Sequence, residues 1–234
     1  MCIVTYVPFE TGFVFTSNRD EQIHRPALPP MRYQVGENQL IYPKDQTHGG
    51  TWMAVDSQKQ RLSCILNSKG VFPPTDIPKK SRGLLAINSL TENPCTVFSE
   101  TALKNVAPFV CILIDPLADV TMTQFHWDGL KLHTSYPALS VPKIWCSSSL
   151  YSETEKLRIE SYFYEKAPEL SVFPDQIVKA HKNTFAQPKN SVVYLEQGKD
   201  IQTVSISSYF HSTAHKTLHY EDLVKGECIT VDCS

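Results

Sequence analysis

The first 21 residues, MCIVTYVPFETGFVFTSNRDE, decide how the chain is read. "CIVTYV" and "GFVFTS" are short runs of β-branched and aromatic residues on either side of "PFETG", a turn bounded by proline and glycine, and this pattern predicts a β-hairpin. If the turn closes symmetrically, Val7 faces Phe13 and Cys2 faces Asn18, with paired Cα atoms about 5 Å apart. A slip of one residue sets Cys2 against Ser17 or Arg19 instead. In each of these registers a cysteine at the second position falls at or next to the polar cluster Asn18-Arg19-Asp20-Glu21 at the end of an apolar strand.

That meeting is chemically suggestive. Removal of Met1 would leave a free α-amine on Cys2, and an α-amine titrating at about 7.7–8.0 can accept the proton of a thiol titrating at about 8.5 with little penalty. One residue then supplies both nucleophile and base. Arg19 is a permanent cation that would favour the thiolate and orient a substrate carboxylate or carbonyl. Asp20 would accept hydrogen bonds from the α-amine. Neighbours on a strand point to opposite faces, so both side chains reach Cys2 only if a bulge or strand end falls there. The alternative is structural, with Cys2 an ordinary strand residue and Arg-Asp-Glu a solvated strand end carrying weak ion pairs.

Composition narrows the function. The chain has 234 residues, 41% of them hydrophobic, enough for a sizeable core, read as one domain over residues 1–234. With 22 basic against 24 acidic side chains, no charge excess points to nucleic acid. No apolar stretch approaches the roughly 18 residues of a membrane span, and the N-terminus lacks a basic region with an apolar run and cleavage site, so a cytoplasmic location is expected. The seven cysteines, including Cys64 in "LSCILN" and Cys111 in "FVCILID", fit reduced thiols better than a disulfide framework.

Farther along, "GGTWMAVD" and "RLSCILN" read as strands, followed by the proline-rich loop "KGVFPPTDIPKK". The apolar spacing of Leu84, Leu85, Ile87 and Leu90 predicts a helix capped by Ser81, and Asn93-Pro94 starts another over 94–105. "PFVCILID", "DVTMTQFHW" and "LKLHT" are strands, the last two joined at Asp128-Gly129 as a two-residue hairpin. Ser152 and Glu155 form a capping box ahead of "KLRIESYFYEK", with a short helix at 174–182. "NSVVYLEQ", "QTVSISSYF" and "KTLHYEDL" return to strands. Hairpins around a block of helices define an α+β class with antiparallel sheets covered by helices, in two sheets or one larger one.

The start "MCIVTY", "NRDE" at 18–21 with "HRP" at 24–26, "GGTW" at 49–52, "LN" at 66–67 and "SRG" at 81–83 together resemble the NRDE family, also called transport and Golgi organisation protein 2-like, over about the first 85 residues. The resemblance implies an N-terminal nucleophile (Ntn) hydrolase fold, a four-layer α-β-β-α sandwich of two antiparallel sheets flanked by helices. Within that fold the family is similar to the penicillin V acylase and bile salt hydrolase branch, whose enzymes cleave non-peptide amides with an N-terminal cysteine. By position, Cys2 matches the nucleophile, and Arg19 and Asp20 match an Arg and Asp pair that the branch separates by a couple of residues. Asn67 corresponds to a site asparagine whose amide or N–H would stabilise an oxyanion, a contribution of about 2.7–4 kcal/mol per donor, or else it is a strand-end turn residue. Where many members carry "LSNALL", this chain has "CSSSLYS" at 146–152, with Ser148 in place of the Asn. Asn18, Arg82 and Ser148 are the candidate substrate-binding residues, Arg82 reading equally as the start of a helix. Gly49-Gly50 form a tight turn.

No metal is expected. His211, His215 and His219 are spaced by four, as zinc ligands on a helix would be, but their surroundings read as strands and place them about a hairpin tip. Cys228 and Cys233 lack a partner pair. The expected partner is a small-molecule amide or acyl compound and no cofactor is required. The alternative, also drawn from the resemblance, is a non-catalytic haem or acyl-lipid binding and trafficking protein using the same pocket, with Cys2, His24 or His48 as a haem ligand.

Overall fold

A computed structural model describes residues 3–71, 81–116, 122–182, 193–195 and 199–234. Met1, Cys2, most of the proline-rich loop (72–80) and the first residues of "DVTMTQFHW" lie outside the described residues. The chain divides into two compact units, residues 1–25 with 139–234, and residues 26–138.

The first unit is built on the N-terminal hairpin. Strands β1 (Ile3–Phe9) and β2 (Gly12–Gln22) are joined by Glu10-Thr11, so Phe9 pairs with Gly12, Val7 with Val14 and Val4 with Ser17. The register is one residue from the symmetric closure on Phe13, because the chain takes the two-residue loop that hairpins prefer. The second unit uses strands β3 (Ala27–Val35), β4 (Asn38–Asp45), β5 (Met53–Asp56) and β6 (Arg61–Asn67). It continues with helices α1 (Arg82–Thr91), α2 (Pro94–Val97) and α3 (Glu100–Leu103), then β7 (Phe109–Ile114), β8 (Met122–Trp127) and β9 (Leu132–Ser135). These seven strands form one antiparallel meander in chain order. Leu85, Ile87 and Leu90 of α1 pack with Phe98, Phe109 and Trp127 as its core.

Local chemistry explains the breaks. The helical stretch expected over 94–105 is two short helices, because Asn93 caps the first through the Cys95 N–H and Ser99 caps the second through the Ala102 N–H. Asp128-Gly129 closes a four-residue loop, Trp127 pairing with Leu132, since the Asp128 carboxylate accepts from the N–H groups of Leu130 and Lys131. Gly49 holds a positive φ of 71° in the turn before β5. A Cβ on Gly50 would lie 2.6 Å from the carbonyl carbon of Gly83, so "GGTW" permits the chain to dock against the start of α1.

The first unit returns with β10 (Lys143–Cys146) and α4 (Glu153–Val172), whose capping box between Ser152 and Glu155 is formed. A 3-10 turn (Pro174–Gln176) leads to α5 (Ile177–Ala180), then β11 (Val193–Leu195), β12 (Lys199–Ser212), β13 (Lys216–Asp222) and β14 (Glu227–Asp232). The sheet order is β10-β1-β2-β12-β13-β14, with β11 on β12. Ile159, Phe163, Ala167 and Leu170 of α4 pack with Ile3, Val7, Val14 and Ile144, which defines one face of this sheet as the helix face. The other face carries Tyr6, Phe13, Phe15, Trp145 and Tyr209 in ring contact.

Candidate active site

Asn18, Arg19 and Asp20 follow one another on β2, and all three are buried. Alternation sends Asn18 and Asp20 to the helix face and Arg19 to the other. The irregularity anticipated near them lies across the ladder: Thr203 pairs with Asp20 and Ser205 with Arg19, so β12 carries an extra residue, Val204, while β2 runs straight to Gln22.

Asn18 and Asp20 are held by groups remote in sequence, and Arg19 by a carbonyl six residues on. The Asp20 carboxylate accepts from the Tyr151 hydroxyl at 2.9 Å and from Thr203 Oγ1 at 2.6 Å. Asn18 Oδ1 lies 2.8 Å from His181 Nδ1, and His181 Nε2 lies 2.7 Å from Thr5 Oγ1. Because Oδ1 only accepts, Nδ1 carries the proton and Nε2 accepts from Thr5. Burial pushes the imidazole down to about 3, so His181 is neutral. Arg19 Nη1 donates to the Arg25 carbonyl at 3.0 Å, keeping a cation that is only 4% exposed at the strand end.

The loop carrying Ser148 belongs to this corner. It follows β10, whose Cys146 pairs with Ile3, and its Tyr151 holds Asp20. Burial and then Glu160 push the Cys146 thiol up to about 12, so the cysteine beside the start of β1 is an inert thiol. The six described cysteines, Cys64, Cys95, Cys111, Cys146, Cys228 and Cys233, are all free.

Asn67 and Arg82 lie in the second unit, where they engage neighbouring residues: Asn67 ends β6 opposite Phe109, and Arg82 Nη1 donates to the Pro108 carbonyl at 3.0 Å. His24 and His48 are exposed, the latter 3.7 Å from Asp45. His211 and His219 sit on β12 and β13 with His215 at the turn between them, so the four-residue spacing is that of a hairpin. Sequence reasoning missed Thr5, Tyr151, His181 and Thr203; Thr5 and Tyr151 stand within "MCIVTY" and "CSSSLYS", but nothing local to any of the four signals a contact with Asn18 or Asp20.

The fold is that of the N-terminal nucleophile hydrolases. Two solved structures of conjugated bile acid hydrolase from Clostridium perfringens match with TM-scores of 0.57 and 0.56, each at 9% identity over 99% of this chain and 92% of theirs. The first is a variant with an arginine replaced by leucine and the second has a cysteine replaced by alanine. At that identity the likeness is one of fold. Residues 1–142 match the family described as Transport and Golgi organisation 2, and the chain belongs to it. No curated protein matches the sequence. Among the described residues no helix is long and apolar enough to cross a membrane.

Proposed function

We propose that the protein is a hydrolase that cleaves a non-peptide C–N amide bond through Cys2, with that residue's own α-amine as base. The observation that carries this reading is the register of the first hairpin. Val4 pairs with Ser17, and Arg19, two residues farther along β2, is buried with its side chain on the same face as that of Ser17; the proposed role takes Cys2 to continue this register. A cation beside a thiol favours the thiolate. The likeness to a bile acid hydrolase fold, solved in forms altered at a cysteine and at an arginine, supports the assignment of those two residue types.

The roles follow from this placement. The α-amine takes the thiol proton as sulfur attacks the amide carbonyl carbon, then gives that proton to the departing amine as the C–N bond breaks, leaving a thioester. Water, deprotonated by the same amine, cleaves the thioester to a carboxylic acid and restores the thiol. Asp20 acts as a positioning residue, fixing through Tyr151 the loop on which Ser148 offers a hydroxyl to the carbonyl oxygen.

The test is a panel of N-acyl amides of graded chain length, assayed with wild type, Cys2→Ala and Arg19→Leu. Hydrolysis by wild type is expected to fall to the uncatalysed level in Cys2→Ala and to weaken in Arg19→Leu. Turnover that survives in Cys2→Ala, or its absence across the panel in wild type, would overturn the reading.

A further inference from the structure

The helix face of the first unit's sheet carries a second cluster of chemistry at its β14 edge. Glu221 on β13 pairs directly with Cys228 on β14, and His219 pairs with Thr230, so the alternation of both strands puts all four side chains on one face. The ligand atoms of His219, Glu221 and Cys228 lie within 4.8 Å of one another. Bound to one ion at about 2.0–2.3 Å, three such atoms need only small rotations to converge.

The surroundings are those of a prepared site. His219 Nδ1 lies 3.0 Å from Thr230 Oγ1, which leaves Nε2 directed at Glu221 Oε1, 3.5 Å away. An outer partner of this kind orients the ring of a metal-binding histidine. The two carboxylate oxygens are divided: Oε2 holds the Lys182 ammonium at 2.7 Å, and Oε1 faces the imidazole.

We propose that His219, Glu221 and Cys228 bind a divalent ion of borderline softness, zinc above all, with water in the fourth position. Mixed nitrogen, oxygen and sulfur ligation selects such an ion over magnesium or calcium, which take oxygen. Binding releases the Cys228 thiol proton to solvent. The ion receives the thiolate, the neutral Nε2 lone pair and Oε1, and the two negative ligands balance its charge. The site ties β14, an edge strand, to β13.

Cobalt(II) titration of the full chain is the test, because thiolate ligation produces a near-ultraviolet charge-transfer band. One equivalent is expected to develop the band in wild type, in Cys95→Ala and in Cys2→Ala, and zinc is expected to displace it. Cys228→Ala is expected to lose the band, and Thr230→Val to weaken binding roughly 10–100-fold. Cys95, Cys228 and Thr230 are exposed, and thermal unfolding of all four variants without metal reports whether each is folded. A wild type without the band, or a folded Cys228→Ala that retains it, would overturn the site. Since Cys2→Ala keeps it, failure of the amidase reading and failure of the metal site give different results.

Discussion

Replacing His181 with glutamine is expected to flatten the acid side of the protein's stability profile. The wild-type imidazole is held neutral between Thr5 and Asn18, down to about pH 3, whereas in the unfolded chain it titrates near 6.5. The unfolded state therefore binds the extra proton between those values, and stability contributed by His181 is complete above about pH 6.5 and lost as pH falls, by about 1.4 kcal/mol per pH unit. Carboxylates titrating lower add their own loss in both proteins, so the difference between wild type and His181→Gln isolates the imidazole. Urea unfolding from pH 7 to pH 4.5 is the measurement. Parallel profiles would show that the ring is not the buried neutral group described.

Asp20→Ala is the second large effect. It removes the acceptor of the buried Tyr151 hydroxyl and of the half-buried Thr203 Oγ1, and hydrogen bonds to a charged group contribute about 1.5–3 kcal/mol each, so a loss of about 3–6 kcal/mol is the upper expectation. Asp20→Asn, which keeps acceptor capacity, is expected to lose less. In a double-mutant cycle with Tyr151→Phe the two changes are expected to couple by about 0.5–3 kcal/mol. Independent, additive effects in denaturant unfolding would contradict the contact. The same contact bears on function, since it tethers the Ser148 loop beside the strand that begins at Ile3.

The sequence made the first hairpin legible because alternation, proline and glycine all spoke locally, and it erred by one residue only where a two-residue loop replaced a symmetric closure. The strands without a sequence signal have a physical pattern. β3, β10 and β14 are all sheet edges, where one side of the ladder is unpaired and where prolines such as Pro29 and Pro30 or charges such as Glu227 and Asp232 are tolerated. β4 lies inside its sheet and was hidden by Pro43. At the candidate site, the polar cluster at the end of β2 was readable, but the groups that hold Asp20 come from residues up to 183 positions away, beyond the reach of any local motif. The His219, Glu221 and Cys228 cluster was obscured for the same reason: a spacing of nine residues between His219 and Cys228 has no meaning until the β13–β14 register folds it onto one face.

The amidase reading depends on the chemical state of the second residue. Intact-mass and peptide-mapping spectrometry of the full chain, before and after brief mixing with a hydrolysed N-acyl amide, measures it directly. A mass lacking Met1, with a transient single acyl group mapped to Cys2, is the predicted result. A chain that retains Met1, or an acyl group found on another cysteine, would contradict it.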